Sequence, residues 1–177
     1  MTSIGKIFLT SAHKRLSYYK DLGDKALAVL EEKDLYYQPN TASNTIAVII
    51  QHLSGNMLSR WTDFLTSDGE KPWRQRDAEF ENSMADKKAL IAQWQQGWAC
   101  CLDSIASLQE ADLLKTIYIR HEPLTVMDAI NRQLAHYPYH VGQLIYIARM
   151  IRNDQWQSLS IPKNQSQQFN EAMQKPH

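Results

Sequence analysis

The stretch from Ile130 to Ile151, INRQLAHYPYHVGQLIYIARMI, carries the clearest helical pattern in the chain. Its apolar residues recur at intervals of three and four, which places them along one face of an α-helix. Thr125 is a suitable N-cap, and the pattern ends near Arg152 and Asn153. These signals predict a long helix whose buried face is formed by Ile130, Leu134, Tyr137, Val141, Leu144, Ala148 and Ile151.

Three further segments carry the same period, each with apolar residues along one face. The first spans residues 3–32. The second begins at Ser43 or Asn44, both suitable N-caps, and continues to about residue 66, and the third begins after Ser83. Four amphipathic helices of this length predict an all-α protein, a four-helix bundle.

The links between the predicted helices indicate the order in which the helices run. Short links follow the first and third helices, so those neighbours are expected to be antiparallel. Residues 66–82 could extend to about 55 Å, whereas the helices they join span only about 35 Å. This long crossover between helices 2 and 3 can traverse the bundle, and the predicted topology is therefore up-down-down-up.

Two shorter features accompany the helices. The stretch TIYIR, residues 116–120, alternates like a strand, and Glu122–Pro123 suggests a turn. A short β-like hairpin is therefore expected before the fourth helix. A C-terminal tail of about residues 155–177 is expected to pack on the helices, because Ile161 and Phe169 need apolar neighbours.

Length and composition bound the class of protein. A chain of 177 residues, 44% hydrophobic and 21% charged, is expected to form one soluble domain, residues 1–177. Lys and Arg together number 19, as do Asp and Glu, so the net charge is zero and nothing favours nucleic acid as a partner. No apolar run reaches the roughly 20 residues that span a bilayer, so no membrane partner is expected, and the N-terminus lacks the pattern of a secretory signal. The neighbours Cys100 and Cys101 cannot pair in ordinary disulfide geometry, which favours a reduced, cytoplasmic protein.

Three histidines form the candidate site. His136 and His140 lie one turn apart on one face of the fourth helix, a spacing that brings two imidazoles to one metal ion. His52 occupies a matching flank of the second helix, which predicts a site between the two helices. Pro138 predicts a bend that re-aims both rings, although a bend that only follows the core is the alternative. Three neutral imidazoles can hold Zn²⁺, Ni²⁺ or Fe²⁺ and leave one position open.

At these residues the chain resembles the DinB/YfiT-like superfamily of four-helix-bundle proteins, and within it a bacterial branch. The resemblance covers nearly the whole chain and is clearest in QHLSGNMLSRWTDFLTSDGEKPWRQRDAEF, NRQLAHYPYHVGQLIYIAR and SIPKNQSQQFN. It implies one histidine on the second helix and an H-x-x-x-H pair on the fourth, which match His52, His136 and His140. It also implies one divalent metal per chain, often zinc or nickel, and a homodimer. Characterised members use low-molecular-weight thiols such as bacillithiol or mycothiol.

Two functions and a reading without metal stay open at this point. The first is a metal-dependent transferase in which the ion lowers the pKa of a thiol or of water for attack on a small electrophile. No carboxylate lies at helical spacing from the histidines, which disfavours a hydrolase. The second is a non-catalytic, metal-stabilised protein that binds a small molecule or a partner under stress. Without any metal, His52 is expected to lie far from His136.

Several polar residues near the histidines are candidate substrate-binding or supporting groups. Asn56 and Gln143 either orient a ligating imidazole or touch a substrate, or they satisfy each other across two helices. Arg60 and Arg132 are candidate anion-binding groups, with a solvated surface as the alternative. The segment 67–81 either presents guanidinium groups to an anionic thiol cofactor or a carboxylate substrate, or forms a salt-bridge network that clasps the crossover.

Overall fold

The computed structural model describes residues 3–81 and 85–174 and is mostly helical. Four long helices and one short one are joined by loops, four short 3-10 helices and a small antiparallel hairpin. In chain order the elements are α1 (Ile4–Ala28), α2 (Ile46–Trp61), α3 (Lys87–Ser107), β1 (Thr116–Ile119), β2 (Glu122–Thr125), α4 (Val126–Arg152) and α5 (Ser166–Met173). The four predicted long helices and the predicted hairpin are therefore present.

Each long helix begins after a residue whose side chain accepts a hydrogen bond from the first turn. These N-caps are Ser3, Thr45, Asp86 and Thr125. The start predicted at Ser43 or Asn44 is therefore wrong by one or two residues, because the Thr45 hydroxyl supplies the cap. Ser83, the predicted start of the third helix, lies outside the described residues.

Two predicted helices end earlier than their patterns suggest. α1 stops at Ala28 instead of residue 32, and a separate 3-10 helix follows at Glu32–Tyr36. α2 stops at Trp61 instead of residue 66, because Asp63 adopts a positive φ of 48° and its carbonyl accepts hydrogen bonds from later residues. The apolar period continues past both ends, so it could not mark them.

Polar contacts align α2 with α3. The Ser54 hydroxyl donates to the Gln93 carbonyl at 2.8 Å, and the Ser104 hydroxyl donates to the Trp61 carbonyl at 3.0 Å. Contacts therefore advance together along the two helices. A Cβ on Gly97 of α3 would lie 2.9 Å from the Ser54 Cα, so the absence of a side chain there permits the close approach.

The contacts of α1 with α3 and the residues after it run in the opposite order. Gly23, near the end of α1, lies against Trp94 in the first half of α3, whereas Gly5 lies beside Glu110 beyond the end of α3. In the centre, Trp61, Trp94, Trp98 and Tyr137 are almost fully buried. The Tyr137 hydroxyl accepts from Trp61 Nε1 at 3.0 Å and donates to Asn56 Oδ1 at 3.1 Å, so the second half of α2 is joined to the middle of α4.

The hairpin is tied to the crossover that follows α2. Its turn is made by Arg120 and His121, which both have positive φ, and not by Glu122–Pro123, which belongs to β2; the turn predicted there is therefore wrong. The Asp68 carboxylate accepts the backbone N–H groups of Arg120 at 2.9 Å and His121 at 2.8 Å. These contacts tie the first part of the crossover to the hairpin, and its later residues lie along α2, with Lys71 against Ser59 and Glu79 against His52.

The C-terminal stretch packs less than the sequence suggests. Trp156 and Leu159 contact the core, but Ile161 and Phe169 are 39% and 45% exposed, and α5 has no buried residue. Among residues 3–81 and 85–174, none of the helices combines the length and apolarity needed to cross a bilayer. α4 continues through Pro138, and the bend predicted there stays a prediction.

Candidate metal centre

The three predicted histidines converge between α2 and α4. Each offers one ring nitrogen, and these atoms lie within 4.8 Å of one another. The Nε2 atoms of His136 and His140 are 3.1 Å apart, and the His52 ring centroid lies 4.9 Å from that of His140 and 5.6 Å from that of His136. The separation expected in the absence of any metal is therefore not found.

Each imidazole has an oxygen partner on its outer nitrogen. His52 Nδ1 contacts Glu79 Oε2 at 3.0 Å, His136 Nδ1 contacts Gln133 Oε1 at 3.2 Å, and His140 Nδ1 contacts Gln143 Oε1 at 2.9 Å. A carboxylate oxygen only accepts hydrogen bonds, so His52 Nδ1 carries the hydrogen and Nε2 keeps a free lone pair. The two glutamine oxygens favour the same tautomer in the other rings. Such outer partners are typical of metal-binding histidines.

The spacing of the inner nitrogens suits one ion. Two nitrogens bound at 2.0–2.1 Å in tetrahedral geometry are about 3.3 Å apart, close to the 3.1 Å between His136 and His140. With the outer nitrogens protonated, two lone pairs face each other at this distance, and a cation between them would relieve the repulsion. The donor set therefore fits a divalent metal.

Burial keeps the paired imidazoles neutral. It lowers the pKa of His136 to about 3, and the neighbouring histidines, with the positive charges of Arg132 and Arg60, lower it further. Burial also lowers the pKa of His140 and outweighs the contact with Gln143, which raises it. A neutral imidazole is the form that binds a metal, so both rings are available near pH 7.

Glu79 links the site to the crossover. Its carboxylate accepts two hydrogen bonds from Arg74, Nε to Oε1 at 2.7 Å and Nη2 to Oε2 at 2.8 Å, and the side chains are 2% exposed for Arg74 and 10% for Glu79. Burial raises the pKa of Glu79, but the contacts with His52 and Arg74 outweigh it, so the pKa lies below its ordinary value. Glu79 is therefore a carboxylate that orients His52.

The crossover forms the salt-bridge network that was one of its two predicted roles. Besides the Arg74–Glu79 pair, Glu70 contacts Arg60 at 3.1 Å and Arg120 at 3.0 Å. These pairs connect α2, the crossover and the hairpin. The same segment contributes Phe80, whose ring centroid lies 4.8 Å from that of His52, so the network also forms a wall of the site.

The four other predicted residues take different positions. Gln143 contacts His140, the orienting role considered for it, and it does not pair with Asn56, which accepts from Tyr137. Arg60 contacts the Gly69 carbonyl and Glu70. Arg132 lines the cavity beside the histidines.

Glu79 and Gln133 are site residues that the sequence reasoning missed. Gln133 had a usable signal, because it precedes His136 by three residues just as Gln143 follows His140 by three. Glu79 had none, since it lies 27 residues from His52 along an irregular segment. Helical spacing could not reveal Glu79, because the crossover, and not a helix that carries a histidine, brings it to His52.

Gly55 of α2 lies against the Glu79 carboxylate, which occupies the space that a side chain at residue 55 would need. A Cβ at Gly55 would lie 2.3 Å from Glu79 Oε1, and Arg74 holds that oxygen in place. We expect Gly55→Ala to displace Glu79 from His52 and to weaken metal binding about 10–100-fold, the usual cost of losing an outer contact. A competition titration with a chromophoric chelator measures the change.

Gly142→Ala is the matched control for Gly55→Ala. Gly142 lies within α4, and a Cβ there meets nothing within 4 Å. Both substitutions favour the helix by up to about 1 kcal/mol, so both variants are expected to stay folded. Equal metal affinity in the two variants would show that the position of Glu79 does not matter to the site.

A cavity of about 370 Å³ opens beside the histidines. Its walls come from α2, the crossover, the hairpin turn and α4. Arginines dominate the polar lining, which comprises His52, Asn56, Arg60, Arg74, Arg76, Arg120, Arg132, Gln133, His136 and His140, with Phe80 as the aromatic member. A small molecule in this cavity would contact the inner nitrogens of the histidines.

Comparison with known proteins gives a family for the chain. None of the curated proteins is similar to it at a significant level. One family matches residues 3–165, which include all three histidines and every helix that positions them. The chain therefore belongs to the family described as protein of unknown function (DUF1572).

Proposed function

We propose that the protein is a divalent-metal-dependent enzyme whose metal ligands are His52, His136 and His140. The observation that carries the proposal is the arrangement of the three rings. Their inner nitrogens share one small volume, and their outer nitrogens face Glu79, Gln133 and Gln143. Zinc, nickel and iron(II) all suit three imidazoles, with one ion per chain.

The proposed reaction is transfer of a thiol, or of water, to a small electrophile. A bound divalent ion lowers the pKa of a thiol or of water so that a nucleophile exists near pH 7. His52, His136 and His140 hold that position, and Glu79 and the glutamines fix the ring orientations. The Phe80 ring, which contacts His52, forms an apolar part of the cavity wall.

The engagement of Glu79 by its neighbours favours a thiol over water as the nucleophile. Glu79, the carboxylate nearest the histidines, is already engaged by His52 and by two nitrogens of Arg74. A carboxylate held in this way is a poor general base. We propose a low-molecular-weight thiol as co-substrate, in the manner of the bacillithiol- and mycothiol-dependent proteins that the chain resembles.

The wider setting of the proposal follows from the same resemblance. We propose an up-down-down-up four-helix bundle of the DinB/YfiT-like type. The matching order of contacts between α2 and α3, and the opposite order between α1 and α3, support this arrangement. A homodimer in the cytoplasm is proposed on the resemblance and on the free cysteines Cys100 and Cys101.

The test combines metal content with turnover. Tag-free protein is analysed for metals, stripped with a chelator, and reloaded separately with zinc, nickel and iron(II). We expect about one ion per chain and metal-dependent loss of a thiol, such as cysteine or bacillithiol, in the presence of an epoxide or an alkyl halide. His13→Ala, which changes a histidine on α1 outside the site, is the control and should behave as the parent. An ion without any turnover would favour the non-catalytic alternative.

A further inference from the structure

We propose that the substrate is a small organic anion whose carboxylate is bound by Arg132 and Arg76 while its reacting end lies over the three histidines. The inference rests on the proposed function and names the substrate class for that site. It rests on the cavity arginines that no buried carboxylate neutralises, and on the positions of those arginines.

The cavity contains more guanidinium groups than carboxylates to pair them. Five arginines line it. Glu70 is shared by Arg60 and Arg120, and Glu79 is held by Arg74. Arg74 Nη1 is buried without a hydrogen-bond partner and lies 3.9 Å from Glu70. The two carboxylates therefore leave a net positive cavity before any metal is counted.

Arg132 and Arg76 are the two arginines that the network leaves free. Among the described residues, no carboxylate lies within ion-pair distance of Arg132. Arg76 has only Asp77, at 3.7 Å, and the Asp77 side chain is fully exposed. Pairing with Asp77 in water contributes little, so Arg76 is available to a ligand.

The two free arginines line the cavity from different elements, Arg132 from α4 and Arg76 from the crossover. Arg132 lies one turn before His136 on α4. Arg76 lies over the Phe80 ring at 5.1 Å, and that ring in turn contacts His52. An anion between the two guanidinium groups would place the rest of the molecule against the inner nitrogens of the histidines.

The donors favour a carboxylate over a phosphate. Phosphate sites commonly use backbone N–H groups at a helix N-terminus or in a turn. This cavity lies beside the middle of α2 and α4, and its free donors are side chains. A planar guanidinium binds a carboxylate or a phosphate through two parallel hydrogen bonds, so the position of the cavity beside the middle of the helices is what favours a carboxylate.

The test measures binding of simple anions to the zinc-loaded protein by calorimetry at low salt. The probes are succinate and inorganic phosphate. We expect succinate to bind the parent more tightly than phosphate does, and Arg132→Gln and Arg76→Gln each to raise the succinate Kd about tenfold, the loss of one charge-assisted contact. Arg149→Gln, the same change on an exposed part of α4 away from the cavity, should alter the Kd less than about twofold.

The outcomes separate this proposal from the metal proposal. Failure of succinate to bind the parent, equal binding by all three variants, or tighter binding of phosphate would overturn the carboxylate assignment. Elemental analysis of the same samples reports the metal independently. Loss of succinate binding in Arg132→Gln at an unchanged ion content supports the anion site. The same loss in protein that holds no ion would keep the anion site and refute the metal centre.

Discussion

The His136→Ala variant is expected to lose the metal that the parent retains. In the parent, His136 Nε2 lies 3.1 Å from His140 Nε2, so the two rings of α4 can bind the same ion. Removing His136 leaves His140 and His52 on different helices. The affinity should fall more than 100-fold, because loss of an outer contact alone costs about 10–100-fold.

Elemental analysis after dialysis against a weak chelator measures the effect. The parent should keep about one ion per chain and the variant almost none. Metal should also raise the melting temperature of the parent but not of the variant, since a ligand at 100 times its Kd stabilises by about 2.7 kcal/mol. His13→Ala should retain both properties. A His136→Ala protein that keeps a full ion would refute the three-histidine centre.

The long helices could be predicted because their stability comes from a repeated pattern. The apolar face of α4 includes Tyr137 and Val141, which are completely buried, and the hydroxyl of Thr125 supplies the expected cap. The ends of α1 and α2 could not be placed. Each end depends on the backbone conformation of a few residues, such as the positive φ of Asp63. The sequence does not indicate such a conformation when the residue is not glycine.

The same contrast distinguishes the three histidines from Glu79, which contacts the outer nitrogen of His52. His136 and His140 share a helix, so their spacing alone brings them together. His52 lies on the matching flank of the second helix, which indicated a site between the two helices. Glu79 reaches His52 only because the crossover is fixed by Asp68 and Glu70 to the hairpin and to α2. Its position depends on ion pairs between distant segments, which no local pattern encodes.

Breaking the Arg74–Glu79 pair is expected to have the largest effect on stability. Arg74→Met removes the guanidinium and leaves a buried carboxylate whose remaining partner is His52. Loss of one partner of a buried pair costs about 3–5 kcal/mol, and we expect about 3 kcal/mol because the His52 contact persists. Urea denaturation of the metal-free protein at neutral pH measures it. Arg76→Met, at a neighbouring arginine that contacts only the exposed Asp77 and the Phe80 ring, should change the unfolding free energy by about 1 kcal/mol or less.

The pH dependence identifies the cause of that loss. In the parent the pKa of Glu79 lies below its ordinary value, so its contribution to stability is present above that value and is lost as the pH falls through the folded-state pKa. Without Arg74 the buried carboxyl favours its protonated form. The difference between the parent and Arg74→Met should therefore shrink as the pH is lowered from about 7 to about 4. Adding Glu79→Gln to Arg74→Met removes the unpaired charge and should restore at least half of the lost stability at neutral pH. A double variant no more stable than Arg74→Met would mean that packing of the Arg74 side chain, and not its charge, holds the crossover against the three histidines.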